Sequence, residues 1–307
     1  MKKLLIPVLS LFVLTAAAQP NKTQKKKTIQ PKGYFRAGLG YALSHGGAVQ
    51  APVTGYSSRL LLPVNGSNIV NSTSGGYSET FDLSRGSYTA GVHGALAFGV
   101  MVTKHIGVEI AANVGIGTKT LKTSLTANDP QDRVVFNASQ QAMRPVMITP
   151  SVVLETGGKI NLYTRGGMVI PVLSKIEQVA DYTQDRFNEQ TQTFVRYRFI
   201  QWTEEFKMRI SPGFSGAVGV KYKAGKHISV WGEMGILSMS LYYKSSELTG
   251  FELTDLSGRA SLEDLAPAQR TTQYEFTGTL TNNSNTVPTS QVPFSNFNFA
   301  AGIALDL

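Results

Sequence analysis

The chain contains no cysteine, so it has no disulfide, no thiolate metal site and no cysteine to carry a lipid anchor after a leader. Histidine is nearly as scarce, with four residues. There is no Gly-x-Ser-x-Gly elbow, no His-Glu-x-x-His helix and no phosphate-cradling glycine loop, so the usual hydrolase, metalloprotease and nucleotide-binding signatures are missing. Past residue 19 no apolar run approaches the roughly 18 residues of a membrane-spanning helix. Amphipathic helices are missing too, which leaves nothing helical to cover a greasy sheet face.

Positive charge is present but misplaced for nucleic acid. The formal charge is +9, yet Lys2, Lys3, Lys22, Lys25, Lys26, Lys27 and Lys32 precede the first strand pattern with no acidic residue among them. Without those seven, +2 remains for the rest. Residues 1–18 are expected to be a signal peptide. Lys2 and Lys3 form its basic start, Leu4 to Leu14 its apolar run, and Ala16-Ala17-Ala18 the cleavage site before Gln19. Residues 19–32 read as a basic, disordered lead-in. Residues 33–307 are then one all-β domain, a length that barrels often reach as a single unit.

What is present is alternation with a period of two. At the end of the chain Phe297, Phe299, Ala301, Ile303, Leu305 and Leu307 alternate with Asn296, Asn298, Ala300, Gly302, Ala304 and Asp306. The same pattern starts at Tyr34, where Phe35, Ala37, Leu39, Tyr41 and Leu43 oppose Arg36, Gly38, Gly40 and Ala42. It recurs over 88–102, 106–117, 143–156, 160–172, 206–222 and 228–243, giving eight strands. Thr103 to His105, Gly157 to Lys159 and Lys223 to His227 are tight turns, and Lys104-His105-Ile106 is echoed by Lys226-His227-Ile228 and, in part, by Lys159-Ile160. Long loops are expected over His45–Gly86, Ala127–Gln140 and Ser245–Pro293, with a shorter one at Gln184–Gln192. The long pair of runs around that short loop should project beyond any lipid. Near Leu237 the apolar parity changes, which predicts a β-bulge. Ser261-Leu262-Glu263-Asp264 has the form of a helix-capping start. Tyr274 to Leu280 leaves room for a ten-strand alternative.

A greasy face with no second layer to bury it is covered most simply by lipid around a closed barrel. Leader, alternation, short turns, long loops and final strand together resemble the small eight-stranded outer-membrane β-barrel family, of the porin-like OmpA-barrel and OmpX type. Leu307 stands where that family usually ends in an aromatic residue. The resemblance implies an antiparallel up-and-down transmembrane β-barrel in the outer membrane of a diderm bacterium, with both termini in the periplasm. It also implies outer-membrane lipid around the wall, recognition of the final strand by the barrel-assembly machinery, and a structural, adhesive or narrow-channel role. A soluble lipocalin-like barrel would need its apolar faces turned inward.

The candidate site follows from the same alternation. Arg36, Glu109, Glu155, Arg165, Lys207, Arg209, Lys221 and Glu233 fall on the lumen side. In a barrel this narrow they must meet one another, as a structural plug or as a gate for small solutes. His93 is the one histidine on that face, without a serine and carboxylate placed to make it a general base. Aromatic girdles are expected from Tyr41, Tyr88, Phe98, Tyr222, Tyr242, Tyr243 and Phe297. Asp129 with Asp132, and Asp255 with Glu263 and Asp264, are solvated loop charge or a divalent-cation site. No cofactor, resident metal or catalytic residue is expected. The reading favours a non-enzymatic surface role carried by outer loops that contact an extracellular ligand or protein, ahead of a narrow channel and of an outer-membrane enzyme.

Overall fold

A computed structural model of the protein describes residues 31–44, 78–83, 86–128, 130–276, 286–289 and 291–307. The expected signal peptide, the lead-in up to residue 30, most of the first long loop and Asp129 lie outside the described residues. The strands are β1 (Lys32–Ser44), β2 (Ser78–Leu83), β3 (Gly91–Met101), β4 (Ile106–Thr118), β5 (Leu121–Asn128), β6 (Asp132–Ala142), β7 (Val146–Glu155), β8 (Ile160–Leu173) and β9 (Lys175–Asn188). They continue as β10 (Thr193–Arg209), β11 (Gly213–Lys223), β12 (Ile228–Ser238), β13 (Ser240–Asp255), β14 (Gly258–Ser261), β15 (Thr271–Glu275), β16 (Thr286–Pro288), β17 (Gln291–Pro293) and β18 (Asn296–Asp306).

Eight of them close a barrel in the order β1-β18-β12-β11-β8-β7-β4-β3. Antiparallel pairing of β1 with both β18 and β3 removes the free edge. Outside, Leu39, Leu96, Phe98, Ile110, Leu162, Val218, Ile236 and Ile303 are exposed. Inside, Arg36, Glu109, Asn161, Lys221 and Glu233 are buried. This is an apolar wall around a polar interior, the inverse of a water-soluble core.

Above the barrel stands a second sheet, ordered β16-β15-β13-β10-β9-β6-β5-β2, with β14 and β17 also paired to β13. It is built largely from continuations of barrel strands, since β4 runs on as β5, β8 as β9 and β12 as β13, while β6 and β10 descend into β7 and β11. Several expected loops are therefore strand. Ala127–Gln140 is largely β6, and the 245–293 stretch holds the upper half of β13 together with β14, β15 and β17. The Gln184–Gln192 loop shrinks to a turn because β9 reaches Asn188. Thr271–Glu275 pairs with β13 in this sheet, so the barrel keeps eight strands.

The expected bulge near Leu237 is not found. Pairing of β12 with β11 and β18 runs without a shift through Ile236, and Trp231, Glu233, Leu237, Met239, Leu241 and Tyr243 are all buried on one side. The inward direction stays constant while its chemistry changes. Between β12 and β13 oily side chains move from the outer face to the inner one, the exchange expected of a strand that leaves an apolar surround for water. Ser261 and Asp264 do cap a short 3-10 turn, Leu262–Asp264.

Candidate functional site

The lumen of the barrel is spanned by paired charges. Arg36 on β1 reaches Glu109 on β4 at 2.7 Å and Glu233 on β12 at 3.2 Å. Glu233 also receives Arg165 from β8 at 2.6 Å, with a second contact from Arg165 Nε at 3.2 Å. Nearer the tight-turn end, Lys221 on β11 pairs with Glu155 on β7 at 3.2 Å, and Asn161 donates to Glu155 at 2.7 Å. Three cations thus meet three carboxylates, and each charge has a partner, as burial requires.

Aromatic side chains complete this layer. Tyr34 donates to Glu109 at 2.9 Å and Tyr163 to Glu233 at 2.8 Å. The Arg36 guanidinium lies 4.8 Å from the Trp231 ring centre and 5.4 Å from that of Tyr163. These rings fit because glycines face them. Tyr34 is opposite Gly99 and Tyr163 opposite Gly219, where a Cβ would come within 2.3 Å and 2.6 Å of the ring. The space left among Tyr34, Arg36, Glu109, Glu155 and Lys221 is about 10 Å³, room for about one water and no continuous column of them.

Above the charges lies a small chamber of about 50 Å³ lined by Thr89, His93, Asn113, Thr149, Arg165 and Asn298, among others. It has room for about three waters. Its roof is the buried segment Gly86–Ala90 and the apolar cluster of Tyr88, Met147, Val169, Leu237, Leu241 and Phe294. Asn296 donates to Thr89 at 2.7 Å and Thr89 to the Phe294 carbonyl at 2.9 Å, which ties this roof to β18. Tyr88 donates to Gln140, and Gln140 to Gln178, in the second sheet. The lumen is closed by ion pairs below and by packed apolar side chains above.

Of the eight residues expected in the lumen, Arg36, Glu109, Glu155, Arg165, Lys221 and Glu233 are brought together there. Lys207 and Arg209 are not. They belong to the second sheet, where Phe206 and Met208 are the buried neighbours and the polar side chains face out. Lys207 pairs with Glu247 at 3.4 Å on the outer surface, and Arg209 donates to the Tyr274 carbonyl beside the Phe276 ring. The link 210–212, with Pro212, resets which parity points inward before β11 begins. Tyr34, Asn161, Tyr163 and Trp231 were missed as members. Their signal was a place on the polar face of a strand, one or two residues from a charge.

Other expectations shift as well. Tyr88 and Tyr243 are buried in the junction cluster and do not belong to a girdle, whereas Tyr41, Phe98 and Tyr222 are exposed on the wall. Asp132 pairs with Arg186 at 3.4 Å, and Asp255 and Asp264 accept from Ser257 and Ser261. Those hydrogen bonds hold both aspartates below their ordinary range. Among the described residues no acidic or histidine cluster has the make-up of a metal site. Higher in the second sheet, burial pushes the Tyr182 hydroxyl up.

The described residues thus define a closed eight-stranded antiparallel barrel with an ion-paired lumen and an apolar wall. No protein-family model matches the sequence, and no curated protein matches it. Among solved structures, the chain is similar to the outer membrane protein OprG from Pseudomonas aeruginosa. The identity is 12% and the TM-score 0.37, over 90% of this chain and 96% of that one. It is also similar to the outer membrane protease OmpT from Escherichia coli, at 10% identity and a TM-score of 0.26, over 92% of this chain and 100% of that one. At this level neither likeness says what this chain does.

Proposed function

We propose that this protein is a non-enzymatic integral outer-membrane barrel whose lumen is sealed and whose role is carried by the second sheet, held outside the lipid on a rigid base. The observation that carries the reading is the double closure of the lumen. A conducting pore needs a wetted path, and here ion pairs and aromatic rings fill one level while an apolar cluster fills the next. The barrel strands that run on into the second sheet give that sheet a stiff footing, and binding surfaces tend to sit on such scaffolds. The tight turns and both ends of the described domain would then face the periplasm, and the second sheet the cell exterior.

Planar-bilayer recording tests this. The full chain, folded into lipid and showing a heat-dependent shift in gel mobility, is expected to give no discrete current steps in concentrated potassium chloride. Reproducible steps abolished by Arg36→Ala would replace the scaffold reading with a narrow, gated channel.

A further inference from the structure

At the tight-turn end of the barrel the sequence echo becomes a ring. Each of the three turns places a lysine one or two residues ahead of the first wall-facing isoleucine: Lys104 before Ile106, Lys159 before Ile160 and Lys226 before Ile228. Lys32 and Lys223 are exposed at the same end, paired in register with Met101 and Ser229. None of these five lysines takes part in an ion pair among the described residues. The outer-face lysines Lys175 and Lys207, at the second sheet, are by contrast held by Glu205 and Glu247. The histidines of the echo serve a different purpose. Nδ1 of His105 meets the Glu155 carbonyl at 2.8 Å and Nδ1 of His227 the Asp306 carbonyl at 3.2 Å, joining each turn to a neighbouring strand. Beside this rim a shallow, widely open apolar groove of about 800 Å³ runs along the wall, lined by His105, Ile106, Leu154, Leu162, Val220 and Met234, among others.

We propose that the tight-turn rim is a lysine collar that seats the phosphate headgroups of anionic phospholipids, with an acyl chain lying in the adjoining groove. This rests on the reading of the chain as a barrel in lipid. Unpaired cations immediately below an apolar band sit at headgroup depth, where each lysine near an anionic surface contributes about 1 kcal/mol, or roughly fivefold in affinity. The groove supplies the apolar half of the same ligand. Together they select a two-part molecule, a charged head on an oily tail, over a free anion.

The test is native mass spectrometry of the full chain released from neutral detergent after exposure to dioleoylphosphatidylglycerol or dioleoylphosphatidylcholine. The parent is expected to retain the anionic lipid preferentially. The variant Lys104→Gln/Lys159→Gln/Lys223→Gln/Lys226→Gln should lose that preference by about tenfold or more, and Lys159→Gln alone by up to about fivefold. A second variant, Lys119→Gln/Lys122→Gln/Lys175→Gln/Lys207→Gln, changes as many charges at the other end and should keep it. Equal retention by the rim variant and the parent, or loss in the second variant instead, overturns the collar while leaving the barrel intact. A parent that never yields a heat-modifiable band in vesicles removes the barrel reading itself.

Discussion

Glu233 accepts from Arg36, Arg165 and Tyr163, so it is the residue on which the lumen charges converge. Glu233→Gln leaves the buried Arg165 guanidinium without a counter-charge, while Arg36 keeps Glu109, and should cost about 3–5 kcal/mol in urea unfolding from micelles. Adding Arg165→Met should recover part of that loss, and a double-mutant cycle reads the coupling. The glycines that face the rings are equally specific. Gly99→Ala puts a Cβ 2.3 Å from the Tyr34 ring and should lower stability by about 1–3 kcal/mol, with loss of the Tyr34 to Glu109 hydrogen bond. At this scale the polar faces are legible in the sequence, because alternation holds along β1, β4 and β8 and along β12 as far as Ile236. It did not reveal which charge meets which, since that depends on register across strands far apart in the chain. Lys207 and Arg209 were misplaced for a further reason: alternation has the same period whether water or lipid lies outside.

Within single elements, β12 in the barrel runs on as β13 in the second sheet, and the oily face changes sides between them. Ile236 is exposed on the wall and Leu237 is buried, one residue apart, and the same exchange sets Phe206 and Met208 against Ile210 and Phe214. The change of parity is legible in the sequence but reads there as a bulge, because a single strand carries no record of what surrounds it. Polar, weakly patterned stretches such as Ala127–Gln140, most of which is β6, read as loop. Their apolar side, Phe136, Ala138 and Ala142, is packed into the second sheet and its junction, a half-pattern diluted by small residues. The Ser261 to Asp264 turn was legible because its chemistry is local. Ser261 donates from its backbone nitrogen at 2.7 Å and its hydroxyl at 3.0 Å, and these bonds depress the Asp264 pKa. A depressed carboxylate stabilises above its unfolded pKa and loses that contribution as pH falls through its folded value. The Ser261 amide should therefore exchange faster once pH drops below about 4, the ordinary aspartate range. Asp264→Asn should remove that pH dependence, as followed by hydrogen exchange.

For the molecule as a whole, what touches the outer wall decides how the barrel is stabilised. Val218, mid-strand on β11 and exposed, should tolerate leucine, whereas Val218→Arg should cost about 2–4 kcal/mol in a bilayer. The eight-strand barrel and its polar lumen were readable from period and turn spacing. Of the second sheet only the long β9–β10 hairpin was readable, as a projecting pair of runs; the rest reuses the barrel strands and is completed by short pairings to β13 that no local pattern announces. The most direct test uses the absence of native cysteine: single cysteines placed in turn from Val230 to Leu241 carry a fluorophore in lipid vesicles holding a quencher on the acyl chains. Quenching is expected at 230, 232, 234 and 236, and to be weak at 231, 233, 237, 239 and 241. Strong lipid quenching at 231 and 233, or quenching by a water-soluble agent at 232 and 234, would contradict an apolar wall around a filled, polar lumen.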